Sequence, residues 1–261
     1  MEDQSGSGKA SKKGPSGRSY RNATGLTRQP KKMRGRKVSS QRWLTRQLND
    51  PFVAEAKSRG FRSRAALKLE QMDDRYHLLQ PGIAIVDLGC APGGWLQVSS
   101  IRTKLGHSKA RLVGIDLLDT EGVVGADIFT GDMTNPEMLE KVRLATGGAA
   151  DGVLSDMAAD TTGHRATDHL RTTALLEAAL DFAIDVLNKN GFFLAKCFRG
   201  GAERSLLDVM QRNFKTVRHV KPAASRAESV ESYVLATGFH GSGRAEDIAA
   251  GRRDADGALI T

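Results

Sequence analysis

The sequence predicts a doubly wound α/β sheet with helices on both faces. Three observations carry that prediction. An apolar, β-branched run from Ile83 to Leu88 breaks into a glycine turn, Gly89 to Gly94. From there strand-like and helix-like segments alternate down the chain. An aspartate stands at the end of three successive predicted strands: Asp116, Asp132 and Asp156. Alternation of this kind buries a parallel sheet between helices and gathers ligands at the carboxyl ends of the strands.

The elements follow in order. Asp50-Pro51 reads as a helix N-cap with proline at the first helical position. Ser63 is expected to cap a second helix running to about Asp74. Gln80-Pro81-Gly82 turns the chain into a first strand at 83–88, and a helix near 94–105 leaves the glycine turn. A strand at 111–115 leads to Asp116. A short segment ends at Gly131-Asp132, and a helix opens after Asn135-Pro136. A strand at 151–155 leads to Asp156. The apolar spacing of Leu175, Leu176, Ala179, Leu180, Ala183 and Leu187 predicts a long helix over 168–188. A buried strand at 191–198 and a helix at 203–213 come next. Segments 215–221 and 231–238 read as a terminal hairpin or adjacent pair of strands.

Composition bounds the class of protein. The chain has 261 residues, 39% of them hydrophobic, enough for one well-buried domain plus polar tails. No apolar run reaches the roughly 18 residues a membrane span needs, and the N-terminus lacks the apolar core of a signal peptide. Two cysteines, Cys90 and Cys197, make no zinc pattern and suit a reducing compartment. Cys90 reads as a small buried hydrophobe rather than a nucleophile. The net charge of +9 is unevenly spread. Residues 1–45 hold 12 Lys and Arg against 2 acids, and the remainder holds 27 basic against 28 acidic residues. A basic arm on an enzyme-like body points to a polyanion such as nucleic acid, with a solubilising tail as the plainer reading. The expected organisation is a disordered basic arm at 1–39, a catalytic domain at 40–239 and a disordered tail at 240–261.

The spacing of the glycine turn bears on the cofactor. A dinucleotide site wants G-x-G-x-x-G and a helix N-terminus aimed at a pyrophosphate. This loop is G-x-x-x-G-G with Pro92 inside it, which disfavours a nicotinamide oxidoreductase. S-adenosylmethionine has no phosphate and carries a cation, so its loop needs space and nearby carboxylates. On this reading Asp116 hydrogen-bonds ribose hydroxyls, Asp132 accepts from an adenine amino group, and Asp156 lies beside the transferable methyl. A single strand-end aspartate is often just a helix cap; three in succession fit a ligand better.

Lys196 interrupts Phe192-Phe193-Leu194-Ala195-Lys196-Cys197-Phe198, otherwise a buried strand. Burying an ammonium is costly unless it is paired, and a lysine so placed can serve as a general base. Lys68 borders the apolar stripe of its helix, where pattern alone favours a surface lysine with a buried stem. Glu231, opening the last strand, is by itself an ordinary strand-edge acid.

Several segments occur together and in order: Ser63-Arg64-Ala65-Ala66-Leu67-Lys68-Leu69, Asp87 through Trp95, Ser155-Asp156-Met157-Ala158, Lys196-Cys197-Phe198, and Lys221-Pro222 through Ser225-Arg226 and Glu231-Ser232-Tyr233. Between about Ser40 and Gly238 the chain thereby resembles the FtsJ/RlmE family of ribosomal RNA 2′-O-methyltransferases. The resemblance implies a Rossmann-like, S-adenosylmethionine-dependent methyltransferase sheet. It implies a catalytic tetrad of Lys68, Asp156, Lys196 and Glu231, and cofactor contacts at Gly93, Trp95, Asp116, Asp132 and Asp156, with no metal. It further implies a uridine in the A loop of 23S rRNA as substrate, within an assembling large ribosomal subunit, and a cytoplasmic monomer that uses neither membrane nor DNA. Cys90 stands where the family commonly has alanine, and Ala159-Asp160 replaces a Pro-Asn pair. Two alternatives stay open: 2′-O-methylation of tRNA or another RNA, and a non-catalytic RNA-binding ribosome-assembly factor.

Overall fold

The computed structural model describes residues 41, 45, 48–159, 162–198, 204–226 and 229–241. The expected arm, most of the tail and Asp160 of the Ala159-Asp160 pair lie outside the described residues. Contacts divide the chain between Ala54 and Glu55, and the sheet belongs entirely to the part from Glu55 onward.

Helix α1 spans Pro51–Ser58, and Asp50 Oδ1 accepts from the Phe52 amide at 3.0 Å, as the Asp-Pro pair predicts. Helix α2, Ala65–Tyr76, starts on Arg64 without a side-chain cap, so Ser63 is not the capping residue. The Ser63 side chain lies instead against Gly94, where a Cβ would meet its hydroxyl. The helix runs two residues past Asp74 and stops where His77 turns left-handed and donates its amide to Asp73 O.

The alternation then follows as read. Strand β1 is Ala84–Leu88, helix α3 Gly94–Thr103, strand β2 Arg111–Asp116 and strand β3 Asp127–Thr130. Helix α4, Pro136–Thr146, is capped by the Asn135 side chain. Strand β4, Ala150–Ser155, precedes helix α5, Arg165–Val186. Strand β5, Leu187–Phe198, begins four residues earlier than the sequence suggests. Leu187 already pairs with Ala150, and the register slips before Phe192 takes up Gly152. Asn190 absorbs the slip in a left-handed conformation, a place where asparagine is tolerated. Helix α6 is Arg204–Asn213, and strands β6, Phe214–Val220, and β7, Glu231–Phe239, close the fold.

The seven strands lie in the order β3-β2-β1-β4-β5-β7-β6. Strands β1 to β5 are parallel, while β7 runs antiparallel between β5 and β6. Helices cover both faces. One core sets Val86, Leu88, Val113 and Phe193 against residues of α4, α5 and α6. The other sets Ile85, Leu112, Leu194 and Tyr233 against α2 and α3. Strand order reverses between β1 and β4, the place where open α/β sheets bind ligands beyond the strand ends. Among the described residues, no helix is long and apolar enough to cross a membrane.

Candidate active site

Strand pairing assembles the site. In the β5–β7 ladder Lys196 stands opposite Tyr233, and Phe198 opposite Glu231. Directly opposed residues point to one face, and residues two apart on a strand share it. Lys196, Tyr233 and Glu231 therefore all face α2, which presents Lys68. Asp156 follows the last residue of β4 next door.

These five side chains form one continuous polar chain. Lys68 Nζ lies 2.7 Å from Glu231 Oε1 and donates to Tyr233 Oη at 3.2 Å. Tyr233 Oη donates to Asp156 Oδ1 at 2.7 Å. Lys196 Nζ reaches the same Oδ1 at 2.8 Å and the Asp156 carbonyl at 2.8 Å. Lys68 is 5% exposed, Lys196 9% and Tyr233 0%. Lys68 is thus no surface lysine, as its helical spacing favours; the strand β7 acid gives its buried ammonium a partner. Burial pushes the Glu231 carboxyl up, but Lys68 as charge and donor, the more distant Lys196 and the Ser225 hydroxyl outweigh it and hold Glu231 below the ordinary range. Burial, then the charges of Asp156 and Glu231, push the Tyr233 phenol well above its usual value, so it stays a neutral donor.

Two further contacts brace this cluster. Ser225 Oγ donates to Glu231 Oε1 at 2.8 Å, and Gln71 Oε1 on α2 accepts from the Ala224 amide at 2.8 Å. The β6–β7 loop is thereby fastened to the helix that carries Lys68.

The other half of the strand-end crevice is built from backbone. Asp116 Oδ2 accepts from the Ala91 amide at 2.9 Å, and its Oδ1 from the Leu118 amide at 2.8 Å. Asp132 is exposed, two residues past β3, and its Oδ1 accepts from Thr134 N and Oγ1; those bonds lower its pKa against slight desolvation. Gly89 and Gly93 both have positive φ, 73° and 102°. A Cβ at Gly89 would meet the Met157 side chain, and one at Gly93 the Arg62 guanidinium. Arg62 itself donates to the carbonyls of Pro92, Glu121 and Gly122, tying the glycine turn to the loop after β2. The Trp95 indole is 3% exposed. It donates to Ala65 O at 2.8 Å and tilts against Tyr233 with ring centres 5.8 Å apart.

Asp87 lies on the same sheet face, fully buried, and neither carboxylate oxygen has a partner among the described residues. Burial first, then the charges of Asp156 and Asp116, push it well above the usual carboxylate range. Cys90 packs on Gly114 of β2, where a Cβ would come within 2.9 Å of its sulfur; burial foremost pushes the thiol up to about 12, which suits packing and not nucleophilic attack. Among the described residues no cluster of three His, Cys, Asp or Glu side chains could hold a metal.

The four residues of the expected tetrad therefore come together; of the expected cofactor residues Gly93, Asp116 and Asp132 lie on the β1–β2–β3 side, while Asp156 belongs to the tetrad and the Trp95 ring packs against Tyr233. Sequence reasoning gave Tyr233 no role, although its period-two spacing from Glu231 was signal enough to put both on one face. It noted Asp87 without foreseeing that the carboxyl is buried and unpartnered. The bracing by Arg62 spans 30 to 60 positions and that by Gln71 spans 153, so neither left a local signal; Ser225 acts across six positions.

Comparison with known proteins agrees with this architecture. The profile of the FtsJ-like methyltransferases matches residues 61–239. A protein of Mesorhizobium japonicum named ribosomal RNA large subunit methyltransferase E is 54% identical over 211 residues, 81% of this chain and 80% of the relative. Its namesake in Paramagnetospirillum magneticum is 52% identical over 239 residues, 90% of this chain and 96% of the relative. A Plasmodium falciparum crystal structure described as a ribosomal RNA methyltransferase superposes with a TM-score of 0.62 at 26% identity, covering 69% of this chain and all of that one.

Proposed function

The chain belongs to the FtsJ-like methyltransferase family, and from that premise we propose that it methylates large-subunit ribosomal RNA. The proposed acceptor is the 2′-hydroxyl of a uridine in the A loop of 23S rRNA, and the donor is S-adenosylmethionine. The names of its relatives and the 12 basic residues of the first 45 support an RNA substrate. The observation that carries the choice of a hydroxyl acceptor is the buried chain from Glu231 through Lys68, Tyr233 and Asp156 to Lys196.

The chemistry required of the protein is modest. An alcohol is a poor nucleophile near neutral pH and needs a base within hydrogen-bond reach. Lys196 supplies it. Both acceptors around Lys196 Nζ belong to Asp156, and a neutral amine has two N–H donors and one lone pair. With both donors committed to Asp156, the lone pair is left for the incoming hydroxyl proton. Tyr233 holds Asp156 from the other side. Lys68, anchored by Glu231, holds the Tyr233 hydroxyl in turn. Alignment of the hydroxyl supplies much of the remaining rate.

The residues present fit the donor. The two Asp116 oxygens each accept one amide and keep lone pairs for the two ribose hydroxyls. In this reading Asp132 and Asp156 contact the donor from the two sides of the glycine turn that carries Gly93 and Trp95. S-adenosylmethionine supplies a methyl group already activated on a sulfonium.

The test is ribose-methylation mapping of total RNA from cells with and without the protein. One 2′-O-methyluridine of the large-subunit RNA should disappear, return with the wild-type chain and fail to return with Lys196→Ala. A ribosomal particle with a 2′-deoxy nucleotide at the target should bind and accept no methyl. An unchanged map, or label on the base, would overturn the assignment.

A further inference from the structure

Away from the reaction centre, two arginines converge on one tyrosine. The Arg75 guanidinium carbon lies 5.2 Å from the Tyr76 ring centre, and that of Arg218 lies 5.7 Å from it. Arg75 and Tyr76 end helix α2, and Arg218 comes from β6, the edge strand of the sheet. Both arginines are exposed. Neither has a carboxylate within ion-pair distance among the described residues. The surface arginines Arg59, Arg102 and Arg143 each have at least one.

Each cation has a plain structural reading. Arg75 complements the carboxyl end of a helix dipole, and a charged residue on an edge strand discourages pairing with another sheet. Those readings explain each arginine alone. They do not explain why two like charges, uncompensated, share a single ring, an arrangement that an anion between or beside them would relieve. The aromatic face lowers the cost of holding them there without neutralising either.

The position of the pair points the same way. Arg75 is seven residues beyond Lys68 on one helix, about 10 Å along the axis at about 1.5 Å per residue. Arg218 shares a sheet face with Val220, which pairs with Tyr233 in the β6–β7 ladder. The two guanidiniums thus lie between the reaction-centre residues and the sheet edge, one beyond Lys68 on α2 and one beside Val220 on β6.

We propose that Arg75, Tyr76 and Arg218 form an accessory contact for the phosphate backbone of the RNA substrate, flanking the nucleotide presented to Lys196. The proposal rests on the reading of RNA as substrate. The contact positions the strand and carries no base specificity, as phosphate contacts do.

The experiment uses the full chain and a large-subunit ribosomal RNA transcript. Equilibrium binding over a salt series and methyl incorporation are measured for wild type, Arg75→Ala/Arg218→Ala and Arg75→Lys/Arg218→Lys. In the alanine pair the slope of log affinity against log salt should fall by about 1.4–1.8, two phosphate contacts at about 0.7–0.9 each. KM for RNA should rise, while turnover at saturating RNA stays unchanged. The lysine pair should keep most of the slope, and its fold guards against a variant that simply unfolds. An unchanged slope and KM in the alanine pair overturn the contact. A wild-type chain that binds this RNA without methylating it would sink the methylation reading instead, and the slope would still decide the contact.

Discussion

The two halves of the strand-end crevice use the same residue types in different ways. On the β1–β2–β3 side the carboxylates of Asp116 and Asp132 accept from three backbone amides and the Thr134 hydroxyl, three of the four bonds from residues two positions away. They hold turns in shape and offer spare lone pairs to a ligand. On the β4–β5–β7 side Asp156 and Glu231 are engaged by Lys196, Lys68 and Tyr233, from elements far apart in the chain. The first half is a preformed cradle that tolerates loss of one contact. The second is a circuit of buried charges running from Glu231 to Lys196, in which removing one member leaves another uncompensated. The contrast predicts that mutations on the two sides differ in kind, binding on one and rate or stability on the other.

The largest effect should come from Lys196, the end of the circuit that would meet the acceptor in the proposed reaction. Lys196→Ala should lower the single-turnover rate by about 10²–10⁴-fold, the range for a lost general base, with S-adenosylmethionine affinity nearly unchanged by calorimetry. A variant with a near-normal rate would make Lys196 a structural lysine and erase the distinction between the halves.

Next comes stability. Lys68→Met strands the largely buried Glu231 carboxylate and should cost about 3–5 kcal/mol in urea unfolding. Lys68→Met/Glu231→Leu should cost less than the single change, because no charge is left alone. The surface network is the control: Arg59 pairs with Glu70 at 2.6 Å, yet Arg59→Ala should cost under about 1 kcal/mol. Glu231 is held below its unfolded-state value, so this pair's contribution is fully present above the ordinary carboxylate range and is lost as pH falls through the lowered value. Equal costs for Lys68→Met and Arg59→Ala would show that burial is not what separates the pairs.

A smaller effect of about tenfold is expected at one position in each half. Tyr233→Phe removes one hydroxyl that joins Lys68 to Asp156 and should slow methyl transfer by about that factor, the worth of one hydrogen bond to a charged group, with KM for S-adenosylmethionine unchanged. Asp116→Ala should raise that KM by a similar factor with kcat nearly intact, the signature of lost uniform binding. If the two variants exchange signatures, the crevice has been divided at the wrong strand.

The same contrast explains what could be read in advance. The cradle is mostly local: an apolar strand, a glycine turn and acids two residues before the amides they engage leave marks in consecutive letters, and only the bond from the Ala91 amide to Asp116 spans 25 positions. Asn135-Pro136 announces α4 for the same reason. The circuit is non-local. A lysine on α2 at the margin of an apolar stripe looks like any surface lysine until the partner acid, 163 positions on, is known to enter beside it. Only the resemblance of several motifs together singled out Lys68 and Glu231, whereas Lys196 announced itself by interrupting an apolar strand. Ser63 misled because the hydroxyl packs against Gly94, and tertiary contact overrode its capping preference. The start of β5 was hidden because Leu187 closes the helical periodicity of α5 and opens the strand at once.

Asp87 tests the boundary between the halves, since it lies on β1 between them and belongs to neither set of contacts. Its carboxyl is buried without a partner among the described residues and is raised well above its unfolded-state value, by burial first and then by Asp156 and Asp116. The folded chain therefore holds a proton there that the unfolded chain releases above about pH 4. Stability must fall as pH rises from that point toward the raised value, because folding then requires either uptake of a proton or burial of a charge. Asp87→Asn keeps the size and removes the titration. The variant should flatten this falling limb of the stability curve and raise the unfolding midpoint slightly at neutral pH, with no gain at pH 3, where both chains are neutral at this position. A midpoint that drops at neutral pH would mean that the charged carboxylate is needed in the folded state, and Asp87 would then belong with the cradle as a group that awaits a cationic ligand.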